Sequence, residues 1–169
     1  MGTGRGQTWL PALALGLLGS AAAPPEKVVL AVIVHPKNPA ASLSFRDLRA
    51  ALKLERQFWE GGRRIALYLP PSGAPERKLL LEKIYKMSNA ELQKFWVNKV
   101  FSGEIPSSPS VARTPEAAGD LVRQNEGGIA IVPAAKVPRG VKVLQVDGKS
   151  PVDKDYPLAG VVEPAVGVE

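Results

Sequence analysis

An unbroken apolar run, Val28 to Val34, is rich in β-branched side chains and predicts a strand covered on both faces. It ends in His35-Pro36-Lys37-Asn38-Pro39, where two prolines forbid regular pairing. The period then changes. Phe45, Leu48 and Leu52 recur at helical spacing behind Ser44, a favoured N-cap residue, and Ala51 widens the stripe. Glu60-Gly61-Gly62 turns the chain into a second strand, Arg64 to Leu69, which Pro70-Pro71-Ser72-Gly73 stops. Pro75 suits a first helical turn and opens a helix with Leu80, Ile84 and Met87 on one face. Ser88-Asn89-Ala90-Glu91 has the form of a capping box, ahead of a helix expected to bury Leu92, Phe95, Trp96 and Val100.

After a loop from Gly103 to Ser110, Thr114-Pro115-Glu116 starts another helix, which Gly127-Gly128 ends. Ile129 to Val132 and Val141 to Val146 read as the third and fourth strands, the last closed by an Asp147-Gly148 turn. Strands alternating with helices predict a largely parallel sheet with helices on both faces, a single three-layer α/β/α lobe over residues 28–148. From Lys149 onward no period remains, so residues 149–169 are expected to form an extended tail.

The start of the chain bears on location. Arg5 precedes an apolar run from Trp9 to Leu18, and Gly19-Ser20-Ala21-Ala22-Ala23 offers small residues for cleavage, so 1–22 reads as a signal peptide and 23–27 as a linker. The run falls well short of the roughly 20 residues that span a bilayer, so no transmembrane segment is expected after its removal. The protein is therefore expected to be periplasmic or secreted. Its 22 lysines and arginines exceed 16 acidic residues, for a net charge of +6. Outside the cytoplasm such a surface meets small anions or envelope proteins rather than nucleic acid.

Chemistry is narrowed by what is missing from the sequence. There is no cysteine, which excludes disulfides, a thiol nucleophile and thiolate zinc sites. No Asp, Glu or His cluster has metal-ligand spacing, and no cofactor is expected. His35 is the single histidine, and Ser72 lies in Pro-Ser-Gly, which lacks the flanking glycines of a nucleophile elbow. No catalytic set presents itself, and the chain reads as a binding protein rather than an enzyme.

The best chemical candidate is the turn Ser72-Gly73-Ala74 with Arg77. It follows a strand and begins a helix, so free N–H groups and the positive end of the helix dipole converge there. Gly73 permits close approach, the Ser72 hydroxyl can donate, and the Arg77 guanidinium suits an oxyanion, although Pro75 removes one donor. Arg46, Arg49, Lys53 and Arg56 form a basic stripe that fits either an acidic partner or a solvated face. Trp59, Phe95 and Trp96 read as core anchors.

The order of these pieces, from Asn38-Pro39 and Leu43-Ser44 through Phe58-Trp59, Gly61-Gly62, Ser72-Gly73, Gly128-Ile129-Ala130 and Val146-Asp147-Gly148 to Tyr156-Pro157-Leu158, resembles the phosphate-binding component of ABC phosphate importers, in the periplasmic binding protein superfamily. The resemblance runs from about Val28 to Leu158. It implies a lobe of that fold, a phosphate-like ligand at Ser72, Gly73 and Ala74, and a permease or envelope protein as partner. Ala74 stands where the family's Ser-Gly-Thr element has threonine, so one expected hydroxyl is absent. Full members clamp the ligand between two lobes, and this chain has residues for one. The alternative implied is an interaction module that keeps the lobe without transport.

Overall fold

The computed structural model describes residues 1–2 and 23–164, so the expected signal peptide lies almost wholly outside the described residues. Strand β1 spans Glu26–Val34, β2 Ser42–Leu43, β3 Ala66–Leu69, β4 Ser110–Val111, β5 Gly128–Pro133, β6 Lys142–Val146 and β7 Ala159–Val162. Helix α1 spans Phe45–Leu52, α2 Pro75–Leu80, α3 Asn89–Phe101 and α4 Pro115–Gln124. A π-helical turn, Leu81–Tyr85, extends α2. No helix among the described residues is long and apolar enough to cross a membrane.

The seven-stranded sheet has the order β2-β6-β1-β5-β3-β4, with β7 also on β1. Strand β3 runs parallel to β4 and β5, and β6 parallel to β2, while β1 is antiparallel to β5, β6 and β7. Every strand but β1 therefore points the same way, and the sheet is mostly parallel with its central strand reversed.

Sequence alternation in β1 feeds two cores. Val28, Leu30, Val32 and Val34 enter the larger, with Leu48 and Leu52 of α1, Leu79 and Leu80 of α2, and Leu92 and Trp96 of α3. Ala31 and Ile33 enter the smaller, with Ala118 and Val122 of α4. These are the two outer layers of the α/β/α lobe, three helices against one. Trp59 and Trp96 are buried as core anchors and Phe95 packs at the edge of the larger core.

The described residues from Lys149 are not a free extended tail: they run through a series of turns and end in β7. Tyr156, Leu158 and Val162 are buried, and β7 pairs with Glu26 to Val29, which carries the domain past residue 148. Gly160 permits this: a Cβ there would sit 2.5 Å from the Leu79 Cδ1. Val100 departs from expectation too. It stays partly exposed because α3 turns Leu92, Trp96 and Lys99 inward instead.

Three helix starts are capped as their sequences imply. The hydroxyl of Ser44 accepts from Asp47 N at 3.0 Å and that of Thr114 from Ala117 N at 3.1 Å. Ser88 and Glu91 complete a reciprocal box, and the Ser88 backbone N–H, then its hydroxyl, hold the Glu91 carboxyl below its ordinary pKa.

Asp147 has two tasks. With φ of +52° it takes the first position of a tight turn beside Gly148, and its Oδ1 accepts from Phe45 N at 2.8 Å, capping α1 from across the sheet edge. Asp147→Ala is expected to lose about 1–2 kcal/mol. Asp147→Asn, which keeps an acceptor and tolerates the left-handed conformation, is expected to lose less than half of that. Urea denaturation midpoints of the two variants check the ranking.

Candidate functional site

The direction of β1 decides which loops can cooperate. Because Ala66 to Tyr68 run parallel beside Gly128 to Ala130, β3 and β5 deliver their carboxyl ends to one edge of the sheet. Leu30 lies opposite Pro133 and Val34 opposite Ile129, so β1 starts at that edge and ends at the other. His35 therefore lies across the sheet from Ser72. Its Nδ1 accepts from Lys37 N at 3.1 Å, and Lys37 reaches Glu126 at 3.2 Å, a carboxylate that also pairs with Arg63. This loop is tied down rather than poised for chemistry.

At the carboxyl edge, Pro70 and Pro71 end β3 and the chain turns, with Ala74 N donating to Pro71 O at 3.0 Å. Ala74 is the N-cap of α2 and offers no side-chain acceptor, while Pro75 occupies the first turn without an N–H. Ser72 and Gly73 are exposed and Ala74 is half-buried. A Cβ placed on Gly73 would meet nothing within 4 Å and its φ is not in the left-handed region, so the fold itself does not require glycine there.

Arg77 is placed differently from the other three. It is only 7% exposed, and its Nε and Nη1 are buried with no hydrogen-bond partner. Desolvation pulls its pKa below the ordinary arginine value, with the Tyr85 phenol acting weakly the other way. Burial likewise pushes Tyr85 up, and its hydroxyl donates to Leu52 O at 2.7 Å. The structure thus brings Ser72, Gly73 and Ala74 together at an open turn and sets the Arg77 side chain apart from them, buried in the protein interior near Tyr85.

A cleft of about 140 Å³ opens at the same edge. It is lined by Ala74 and Glu76 from the start of α2, Arg113 and Thr114 from the approach to α4, and Ile131 and Val132 from β5. Lys136, from the helical turn after β5, joins them. Carboxyl-end crevices between helix starts are where open α/β sheets take ligands. Sequence reading found Ala74 but missed Arg113, Thr114 and Lys136. They come from two segments, the approach to α4 and the turn after β5, that meet only through the pairing of β3, β4 and β5.

A groove of about 210 Å³ elsewhere follows β3 beneath Pro106 to Pro109. Two of its polar side chains are engaged with each other: Arg64 donates to Gln57 at 3.1 Å and lies over Phe58, and Gln57 donates to Glu104 O. The basic stripe on α1 is divided. Arg46 and Arg49 are exposed, whereas Lys53 lies 3.9 Å from Glu55 and Arg56 Nε donates to Phe58 O.

No protein-family model matches the sequence, and no curated protein is significantly similar to it. Solved structures do match. A phosphate ABC transporter substrate-binding protein from Clostridium perfringens, with bound phosphate, superposes with a TM-score of 0.62 at 19% identity, over 80% of this chain and 54% of that one. An ABC-type phosphate transport receptor from Vibrio cholerae gives 0.62 at 14% identity, over 84% and 59%. PstS from Borrelia burgdorferi gives 0.62 at 12% identity, over 82% and 58%. The chain spans a little over half the length of these proteins. What this likeness establishes is the fold: one α/β/α lobe of the periplasmic-binding-protein type, as found in phosphate transport receptors.

Proposed function

We propose that this lobe is an exported solute-binding domain that recognises phosphate or a similar small oxyanion at the Ser72-Gly73-Ala74 turn, in association with phosphate transport through a permease partner. The observation that carries the reading is Arg77, whose buried guanidinium leaves Nε and Nη1 without any acceptor. Burying a guanidinium without acceptors costs stability, and an oxyanion held at the first turn of α2 would supply them. Recognition on this reading includes a movement of the Arg77 side chain toward the turn. Gly73 supports it, since glycine there leaves space that the fold does not use.

The lobe described here encloses a ligand on one side only, so the affinity of this chain by itself is expected to be weak, on the order of millimolar. Isothermal titration with phosphate and sulfate tests the proposal. Saturable heat from phosphate supports it, and no heat from either anion at tens of millimolar, roughly ten times that affinity, removes it. A chain silent to both leaves the alternative, an envelope interaction module without a small-molecule ligand.

A further inference from the structure

We propose that the groove along the start of β3 binds a short neutral peptide, one residue of which adds to the sheet edge in the place that β4 leaves empty. The groove shares no lining residue with the Ser72-Gly73-Ala74 turn, Arg77 or the cleft beside them. The two readings therefore stand or fall separately.

Strand alternation shows what this edge lacks. Ala66 N donates to Gly127 O, toward β5, so the N–H and C=O groups of Ile65, Leu67 and Leu69 face the other way. Ile65 N there donates to Gln57 O at 2.8 Å, and Leu69 O accepts from Ala112 N at 2.9 Å. Between these anchors Tyr68 lies opposite Ser110, a register that carried back two residues sets Ser108 opposite Ala66. A strand continued to Ser108 would give its N–H to Ile65 O and accept from Leu67 N. Neither bond is made among the described residues, and β4 begins only at Ser110.

Proline accounts for the gap. A proline ring fixes φ at about −65°, whereas a parallel strand takes about −120°. Ser107 and Ser108, between Pro106 and Pro109, are exposed and stand off β3 across a groove of about 210 Å³. Ile65 and Leu67 are buried residues, and backbone groups in such positions are nearly always paired. The opening is one residue long, closed by Gln57 at one end and Ser110 at the other. One extended residue supplies both missing partners, its N–H for Ile65 O and its C=O for Leu67 N, as in β-strand addition.

The lining sets the rest of the ligand. A residue seated opposite Ala66 turns its side chain to the face of Ala66 and Tyr68, and the groups flanking it turn toward Leu54 and Ile105. Both faces are thus largely apolar. No carboxylate lines the groove to draw a cation, and Arg64, its one charged residue, is engaged with Gln57 and Phe58. The volume exceeds the cavity of about 150 Å³ that takes a benzene, enough for one apolar residue with its two amides.

Hydrogen exchange and amide NMR of the chain, with N-acetyl-leucine N-methylamide as the probe, test this. In the free protein the Leu67 amide is expected to exchange at least about tenfold faster than those of Ala66 and Tyr68, which face β5. The probe is expected to shift the amides of Leu67 and of Ser107 to Ser110, half-saturating on the order of millimolar, and to slow exchange at Leu67. The same probe methylated on the leucine nitrogen cannot donate to Ile65 O and is expected to bind about fivefold more weakly, the worth of one hydrogen bond. A Leu67 amide as protected in the free protein as its neighbours overturns the proposal, because the edge is then already closed. So does a probe that moves none of these amides at about 50 mM, well above that affinity, or a methylated probe that binds equally well. Phosphate binding or its failure is read at Ser72 and Gly73 and leaves each of these outcomes unchanged.

Discussion

Replacing Arg77 with methionine is expected to make the protein more stable and to abolish its response to phosphate. The two effects share one cause. Arg77 is 7% exposed as a residue, and two of its guanidinium nitrogens, Nε and Nη1, are buried with no acceptor in the protein, so that part of the charge is desolvated without a protein partner. Its lowered pKa has desolvation as the leading cause. Exchanging buried charged groups for apolar side chains of similar volume has raised stability by about 1–4 kcal/mol in other proteins, and an unpaired charge belongs toward the upper part of that range. Methionine keeps the length of the stem, and Leu80 and Ile84 along the same helix are already fully buried.

Phosphate is expected to stabilise only one of the two proteins. At about ten times its dissociation constant a ligand adds about 1.4 kcal/mol to the wild type. For a chain of this size that is a rise of roughly 3–6 °C in Tm. Arg77→Met starts from a higher Tm and gains nothing from phosphate. Thermal melts with and without phosphate, at fixed ionic strength, separate the outcomes. A methionine variant that is less stable shows Arg77 to be a structural residue. One that still responds fully to phosphate places the anion elsewhere. The combination expected here is that of a binding residue held at the expense of stability.

How far such a site can be read from sequence depends on whether its parts are local. The helix starts were legible because a cap is a pattern of adjacent residues: Ser44, Ser88 and Thr114 each accept from the backbone three residues on. Strands β1 and β5 were legible because burial on both faces leaves no polar position in Leu30 to Val34 or Ile129 to Val132. Strand direction was not. A run apolar on both faces reads the same in either sense, and the reversal of β1 is settled by its three antiparallel partners. Strands β2 and β4, two residues each, are too short to show any period. Strand β7 contains Gly160, a strand-weakening residue present because Leu79 packs against it.

The site divides along the same line. Ser72, Gly73 and Ala74 are consecutive, and their placement at a strand-to-helix turn followed from Pro70, Pro71 and Pro75. The inward course of Arg77 was not legible, since helical spacing puts position 77 on the same face as Leu80 and Ile84 yet an arginine there reads as exposed. Arg113 and Lys136 are 23 positions apart, and their shared cleft exists only once β5 lies beside β3.

The substitution expected to damage the fold most is Gly127→Ala. Unlike many conserved-looking turn glycines, Gly127 is required by space rather than by φ. A Cβ there would lie 1.9 Å from the carbonyl oxygen of Arg64, a backbone atom. Neither side can give way easily. The Gly127 carbonyl accepts from Trp59 Nε1 and from Ala66 N, both at 3.0 Å, and its N–H donates to Asn125 Oδ1 at 2.9 Å. Arg64 is held in turn, because Ile65 N donates to Gln57 O at 2.8 Å and Trp59 N donates to Arg63 O at 2.8 Å. Relief of the clash means moving the start of β5 away from β3, which breaks the Trp59 bond and loosens a buried indole. Overpacking alone costs about 1–3 kcal/mol, and the unpaired indole N–H adds about 1–3 more. A total above about 3 kcal/mol consumes much of the stability of a typical domain, so Gly127→Ala is expected to lose most of its soluble, cooperatively unfolding protein. Gly73→Ala is the paired measurement: its Cβ meets open space, so its urea midpoint should stay within about 0.5 kcal/mol of wild type while its phosphate affinity falls. If both alanines are equally harmless, the close approach of Arg64 to Gly127 is not a constraint on this fold. If both are equally harmful, Gly73 serves the fold and its openness to an anion explains nothing.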